Sequence, residues 1–87
     1  MGVRIIEQVA TVWMADEMPS RMVYAGQRWR VTDRPTRLRE SIWEAAQHGH
    51  RGGLYGWRFQ AENAAGESYV FDVFRQADGW HVHRSYD

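Results

Sequence analysis

Two segments near the C-terminus, both rich in aromatic and β-branched residues, constrain the fold more than any other feature. Residues 57–63, WRFQAEN, and 67–74, ESYVFDVF, flank Ala64-Ala65-Gly66, which is typical of a hairpin with a three-residue loop. Pairing about this loop places the opposite-charge pair Arg58–Asp72 on one face. The other face receives three apolar cross-strand pairs: Ala61–Tyr69, Phe59–Phe71 and Trp57–Val73. The sequence therefore predicts an antiparallel hairpin with one buried face.

Residues 21–31, RMVYAGQRWRV, indicate a second hairpin. The pair Ala25-Gly26 suits a two-residue turn, because glycine readily adopts a positive φ. This turn separates an apolar face from a basic one. The apolar face holds Met22, Tyr24, Trp29 and Val31, and the other holds Arg21, Val23, Arg28 and Arg30. Turn and pattern agree, so they predict the register of this hairpin as well.

The remaining strands are less sharply marked. Residues 3–14 form a long strand with apolar residues on both faces, which indicates two covered faces or a bulge. Asp16 to Ser20 is predicted as a loop. A turn from Gln76 to Gly79 leads into WHVHRSYD, and its register places His83 opposite Asp72. We expect Arg58, Asp72 and His83 to form a polar brace on the outer face of the sheet.

Between the two hairpins, the spacing of apolar residues predicts a helix. Asp33 or Thr36 is a candidate N-cap, and the helix would run to about His48. Its buried stripe would be Leu38, Ile42, Ala45 and Ala46, widened by Trp43. The predicted fold class is α+β: a bent antiparallel sheet of five or six strands, open or barrel-like, with one helix packed on it. The predicted core consists of Trp13, Trp29, Trp43, Trp57, Phe59, Phe71 and Trp80.

Length and composition limit the class of protein. The 87 residues suffice for one core, so residues 1–87 are predicted to form a single domain. The chain has no cysteine, which excludes a disulfide framework and a thiolate zinc site. Arg4, Glu7 and Gln8 interrupt the N-terminal apolar residues, so we expect neither a signal peptide nor a membrane span. A cytoplasmic location fits these features.

The charge is zero overall but unevenly distributed. Residues 21–39 carry a local charge of +5, from six arginines against Asp33 alone. Arginine is suited to bidentate phosphate contacts, so this cluster predicts binding to nucleic acid or to an acidic protein surface. The predicted binding residues are Arg21, Arg28, Arg30, Arg34, Arg37 and Arg39. The same cluster would also arise as a solvated basic face, or from the codon bias of a GC-rich genome, since all eleven basic residues are arginine.

Catalytic and metal-binding patterns are weak. The H-x-H pairs His48/His50 and His81/His83 could contribute metal ligands, but nothing requires the two pairs to meet. No serine nucleophile is indicated beside a histidine, and the glycines around Gly53 lack the lysine of a phosphate-binding loop. The sequence thus favours a non-catalytic module without a cofactor.

Two long segments carry a series of short motifs. Their residues are Pro19, Arg21, Gly26, Arg28–Asp33, Pro35, Gly56–Gln60, Arg84, Tyr86 and Asp87. They follow the pattern P-x-R, W/Y-x-G and R-W/Y-R-V-T-D-x-P, then G-W-R-F-Q and an ending near R-x-Y-D, and in this pattern the chain resembles a small actinobacterial protein family. Similar R-W-R-V segments occur beside a Y-family-polymerase-like subunit of a mutagenic repair system. The resemblance implies binding to nucleic acid or to a repair complex, and it assigns no activity to any residue.

A protein-interaction or homodimerisation domain without a nucleic-acid role is the alternative. Such a domain would act through an exposed sheet edge or an apolar patch. The first strand is the predicted edge, because both of its faces are apolar.

Overall fold

The computed structural model describes residues 2–40 and 54–87, and these residues form an all-β structure. The seven strands are β1 (Val3–Ala15), β2 (Met18–Tyr24), β3 (Gln27–Val31), β4 (Thr36–Glu40), β5 (Leu54–Asn63), β6 (Ser68–Gln76) and β7 (Gly79–Tyr86). All strand pairs are antiparallel.

Six of the strands close into a barrel. The order is β3-β2-β1-β7-β6-β5, and β3 pairs with β5 to complete the ring. β4 is the additional strand, and it lies along the N-terminal half of β5. Because β3 pairs with residues 61–63 of β5 and β4 with residues 54–58, β3 and β4 follow one another along the same side of β5.

Both predicted hairpins are confirmed with their registers. In β2–β3, Met22 lies opposite Trp29 and Arg21 opposite Arg30. Ala25 and Gly26 have φ values of 53° and 73°, as a type I′ turn requires. In β5–β6, the three predicted apolar pairs and the Arg58–Asp72 pair all occur.

The core fills the barrel with aromatic rings. The Phe71 ring centroid lies 4.9 Å from that of Trp29 and 5.9 Å from that of Tyr24, and both contacts are edge-to-face. Trp29, Phe59 and Phe71 are buried, as predicted, and Trp57 and Trp80 are partly buried against them. Trp13 is not in the core: 48% of its surface is exposed. Trp43 lies outside the described residues.

The α+β prediction is wrong, because the described residues contain no helix. Thr36–Glu40, predicted as the first turns of a helix, is strand β4. In this strand Leu38 lies opposite Gly56 and packs against Phe74, while Arg37 and Arg39 face the opposite way. An arginine at either position in a first helical turn would oppose the helix dipole, and strand pairing avoids that cost. The rest of the predicted helix, including Ile42, Ala45, Ala46 and His48, lies outside the described residues. No described segment is a helix long and apolar enough to cross a membrane.

Bulges account for the other differences from the sequence-based predictions. β1 shifts register between Ile5 and Gln8 and again at Trp13/Met14, which explains its blurred alternation. It is a free edge only in part: β7 pairs with it over residues 3–10 and β2 from Thr11 onward, so within the described residues only the second edge of residues 3–9 is unpaired. The predicted loop from Asp16 shrinks to a two-residue turn, and β2 already begins at Met18.

Because of a further bulge, the predicted polar brace is only partly right. The β6–β7 register shifts between Asp72 and Val73, so Asp72 lies opposite Arg84 rather than His83. The Arg58–Asp72 half of the brace is confirmed, and its third member is Tyr86, not His83.

Candidate binding surface

A row of side chains crosses the outer wall of the barrel. Trp13 on β1 lies opposite Arg21 on β2, Arg21 lies opposite Arg30 on β3, and Arg30 lies opposite Glu62 on β5. Arg28 is two residues from Arg30 along β3 and shares its face. We call Arg21, Arg28 and Arg30 the arginine patch; all three side chains are exposed.

The arginine patch is poorly neutralised by its neighbours. Arg30 reaches Glu62 only at 4.0 Å. Among the described residues, no ion pair joins Arg21 or Arg28 to a carboxylate. Like charges directly opposite each other on neighbouring strands destabilise a sheet, so the Arg21–Arg30 pair carries a cost that the barrel tolerates.

Two adjoining pockets run along this surface. The first, about 330 Å³, is lined by Trp13, Arg21, Met22, Val23, Arg28 and Trp29. The second, about 360 Å³, is lined by Arg21, Arg28, Trp29, Arg30, Glu62, Asn63 and Ala64. Because Arg21, Arg28 and Trp29 line both, the pockets form one groove. Trp13 lines only the first pocket and Arg30 only the second, while Arg21 and Arg28 line both.

The other three predicted binding residues do not join the arginine patch. Arg34 is exposed in the connection between β3 and β4. Arg37 and Arg39 lie opposite Trp57 and Tyr55, and their guanidinium carbons are each 5.2 Å from the ring centroid of that partner. Residues 57 and 62 of β5 are an odd number apart, so Arg37 faces away from the side of the sheet that carries Arg30. The structure thus splits the sequence cluster between two faces.

A buried carboxylate organises the opposite wall. Asp72 is 1% exposed and accepts hydrogen bonds from Arg58 Nε at 2.7 Å and Nη2 at 3.0 Å, and from the Tyr86 hydroxyl at 2.6 Å. Burial, followed by the bond to Asp72, raises the pKa of Tyr86. The bond to Asp72 likewise raises the pKa of Arg58. All groups around Asp72 satisfy one another, which is typical of a structural brace.

The two histidines in the described part of the chain, His81 and His83, each lie beside a polar side chain. His81 Nε2 lies 2.8 Å from Asp78 Oδ1, and His83 Nε2 lies 3.0 Å from Gln76 Nε2 and 3.9 Å from Glu7. Among the residues that the structure describes, no group of three or more histidine, aspartate or glutamate side chains could hold a metal ion. His48 and His50 lie outside those residues.

Thr32, Asp33 and Gln60 connect strands through hydrogen bonds. Asp33 Oδ1 accepts a hydrogen bond from the Gln60 backbone N–H at 2.8 Å, and the Thr32 backbone N–H donates to the Gln60 carbonyl at 2.8 Å. The T-D and F-Q segments therefore hold the β3–β4 connection onto β5. Asp87 accepts a hydrogen bond from the Gly2 backbone N–H at 2.6 Å, which ties the two termini together.

Sequence reasoning missed Trp13 as a surface residue. The β1–β2 pairing would have revealed it. Residues directly opposite each other on neighbouring strands face the same side of the sheet, so Trp13, the partner of the outward-facing Arg21, must also face outward. The predicted loop from Asp16 hid that pairing.

Comparisons with known proteins give no relative from which a function could be transferred. No protein-family model matches the chain, and neither a curated protein nor a solved structure matches it.

Proposed function

We propose that this protein is a non-catalytic binding module that contacts the phosphates of nucleic acid through the arginine patch. The observation that carries the proposal is the direct opposition of Arg21 and Arg30, with Arg28 beside them and a single carboxylate at 4.0 Å. A bound anion would stabilise such a surface, since it relieves the electrostatic repulsion between the guanidinium groups.

The groove geometry agrees with a linear ligand. Neighbouring strands lie about 4.8 Å apart, so a chain crossing from β1 to β3 would pass Trp13 and then the arginine patch over roughly 10 Å. The resemblance to segments beside a polymerase-like repair subunit points to the same class of partner. In the described residues, the buried polar groups around Asp72 are already satisfied and suggest no competing reaction centre.

Salt dependence is the direct test of a phosphate partner. Fluorescence anisotropy of a labelled oligothymidine should give log K against log[salt] with a slope of about −2, because three phosphate contacts on a single strand release about 0.7 counterion each. The triple variant Arg21→Gln, Arg28→Gln, Arg30→Gln should lose both the affinity and the slope.

The chain offers a matched control for that variant. Arg34→Gln, Arg37→Gln, Arg39→Gln removes the same charge from outside the arginine patch and should retain most of the affinity. Equal weakening by both triple variants would show that net charge alone matters. No binding by the natural chain at low salt would contradict the proposal.

A protein-interaction or dimer role is the second candidate, favoured by an exposed apolar stripe on β1. Val3, Ile5 and Val9 are 60%, 65% and 62% exposed, which is unusual for large aliphatic residues on one strand. Within the described residues, β2 pairs with β1 only from Thr11 onward, so one backbone edge of residues 3–9 has no strand partner.

Sedimentation velocity over a range of protein concentrations tests this second candidate. If β1 mediates association, the sedimentation coefficient should rise with concentration, and Val9→Asp should abolish the rise. Thr11→Asp, at an exposed position on the same strand, is the control. Val12 is unsuitable because it packs against the core. A concentration-independent monomer would exclude the dimer.

A further inference from the structure

We infer that the ligand of the groove is single-stranded nucleic acid, with one unpaired base stacked on Trp13. This inference rests on the proposed phosphate-binding role of the arginine patch and adds the class of strand. The indole belongs to the same cross-strand row as Arg21 and Arg30, and it lines the first pocket of the groove that these arginines line.

The exposure of Trp13 is what distinguishes it from the other described tryptophans. Trp29 is 5% exposed inside the barrel, and Trp57 and Trp80 pack against the core, whereas 48% of the Trp13 surface remains open. The half of the indole that stays in water contributes no hydrophobic stabilisation, and a small barrel has little other apolar surface to bury. A base stacked on the ring would recover that burial.

The combination of an aromatic ring with flanking guanidinium groups matches single strands better than duplexes. In a duplex the bases are already stacked on one another, and their faces are closed to a side chain. In a single strand, a base can stack on an aromatic ring while neighbouring phosphates contact arginines, and this arrangement tolerates any base. Arg21 lies directly beside Trp13, so base and phosphate contacts would fall on adjacent strands of the sheet.

The test compares three probes of equal length: oligothymidine, the corresponding duplex, and an abasic phosphodiester chain. We expect the natural chain to bind oligothymidine most tightly. Trp13→Ala should weaken oligothymidine binding by about tenfold or more, the usual effect of losing one stacked base, and should leave abasic-chain binding unchanged. Trp13→Phe should restore most of the affinity.

Tyr55→Ala supplies a matched control, because Tyr55 is another exposed aromatic residue, 58% exposed, but lies beside Arg39 and away from the groove. It should leave binding of all three probes unchanged. Circular dichroism and thermal unfolding of each variant would show that the barrel is intact.

The failures of the two proposals are distinguishable. Equal affinity of the natural chain for oligothymidine and the abasic chain, with no effect of Trp13→Ala on either, would overturn the stacking inference and leave the phosphate proposal standing. Equal loss of both ligands in Trp13→Ala would also overturn it, since the ring would then act only through the protein. Absence of binding to all three probes at low salt would overturn both.

Discussion

At the scale of the residue, Gly56 shows how tightly the outer wall is packed. It lies on β5 opposite Phe74, and a Cβ at this position would collide with the Val73 carbonyl oxygen and lie 2.6 Å from Phe74 Cδ1. The Phe74 ring covers the space that a side chain would need, and it packs in turn on Leu38 of β4. The glycine of the G-W-R-F-Q motif is thus explained by packing.

Gly56→Ala should therefore lower the free energy of unfolding by about 3 kcal/mol, the upper range for overpacking a close contact. The comparison is Gly26→Ala, where nothing lies within 4 Å and only the positive φ of 73° is strained. That variant should lose about 1 kcal/mol. Chemical denaturation of both measures the difference, and an equal or smaller loss in Gly56→Ala would contradict the described packing.

Tyr86 gives a pH dependence with a definite sign. Burial and the hydrogen bond to Asp72 raise the pKa of Tyr86 above the value of about 10 that it has in the unfolded chain. The folded state then retains this proton where the unfolded state has lost it. The stabilisation is complete below about pH 10 and is lost as the pH rises through the folded-state pKa.

We expect the free energy of unfolding to decline above about pH 10. Tyr24 and Tyr69, whose pKa values are also raised, contribute to the same decline. In Tyr86→Phe the decline should be shallower, because one of the three phenols whose pKa is raised is gone. Denaturation curves at a series of pH values would show this, and identical slopes for the variant and the natural chain would refute the assignment.

At the scale of the element, the sequence predicted local pairing well. The turn residues Ala25-Gly26 and Ala64-Ala65-Gly66 join strands whose apolar faces match in only one register, so both hairpins follow from short-range chemistry. The blurred alternation of β1 indicated a bulge but not its position, and no residue of β6 or β7 marked the register shift between Asp72 and Val73. For that reason the prediction failed for the partner of Asp72, whereas the outward facing of Trp13 was missed because the predicted loop from Asp16 hid the β1–β2 pairing.

β4 is the element that overturned the predicted helix. Leu38 fits the spacing of a helix and that of a strand equally well, because either element can bury a single apolar side chain. Long-range pairing with residues 54–58 of β5 decides in favour of the strand, and no local signal in residues 36–40 encodes that partner.

The strand assignment predicts a specific coupling. Leu38→Ala should lower the free energy of unfolding by about 1–2 kcal/mol, because Leu38 is only partly buried against Phe74. In a double-mutant cycle with Phe74→Leu, the two losses should not add, since the side chains touch. Arg37→Ala, on the opposite face of β4, is the control and should add to Phe74→Leu independently. Additive losses for the Leu38 pair would contradict the position of β4.

At the scale of the whole molecule, barrel closure sets the binding surface. Pairing of β1 with β7 and of β3 with β5 joins strands far apart in sequence, and no turn signal connects them. For this reason the sequence did not predict whether the sheet stays open or closes into a barrel. Once the barrel closes, its curvature and register separate the six arginines into the arginine patch and the remainder, which linear clustering could not indicate. The candidate site was thus predictable only in part. The charge pattern of the sequence indicated that it would consist of arginines, but only the strand register shows which arginines belong to it.

The most direct test of the central claim is an amide chemical-shift map of the natural chain titrated with a short oligothymidine. The binding account predicts shifts that concentrate on the outer wall around Trp13, Arg21, Arg28 and Arg30, that include the indole N–H of Trp13, and that fade as salt is raised. Shifts centred on Arg37 and Arg39 of β4, or no shifts at low salt, would contradict it.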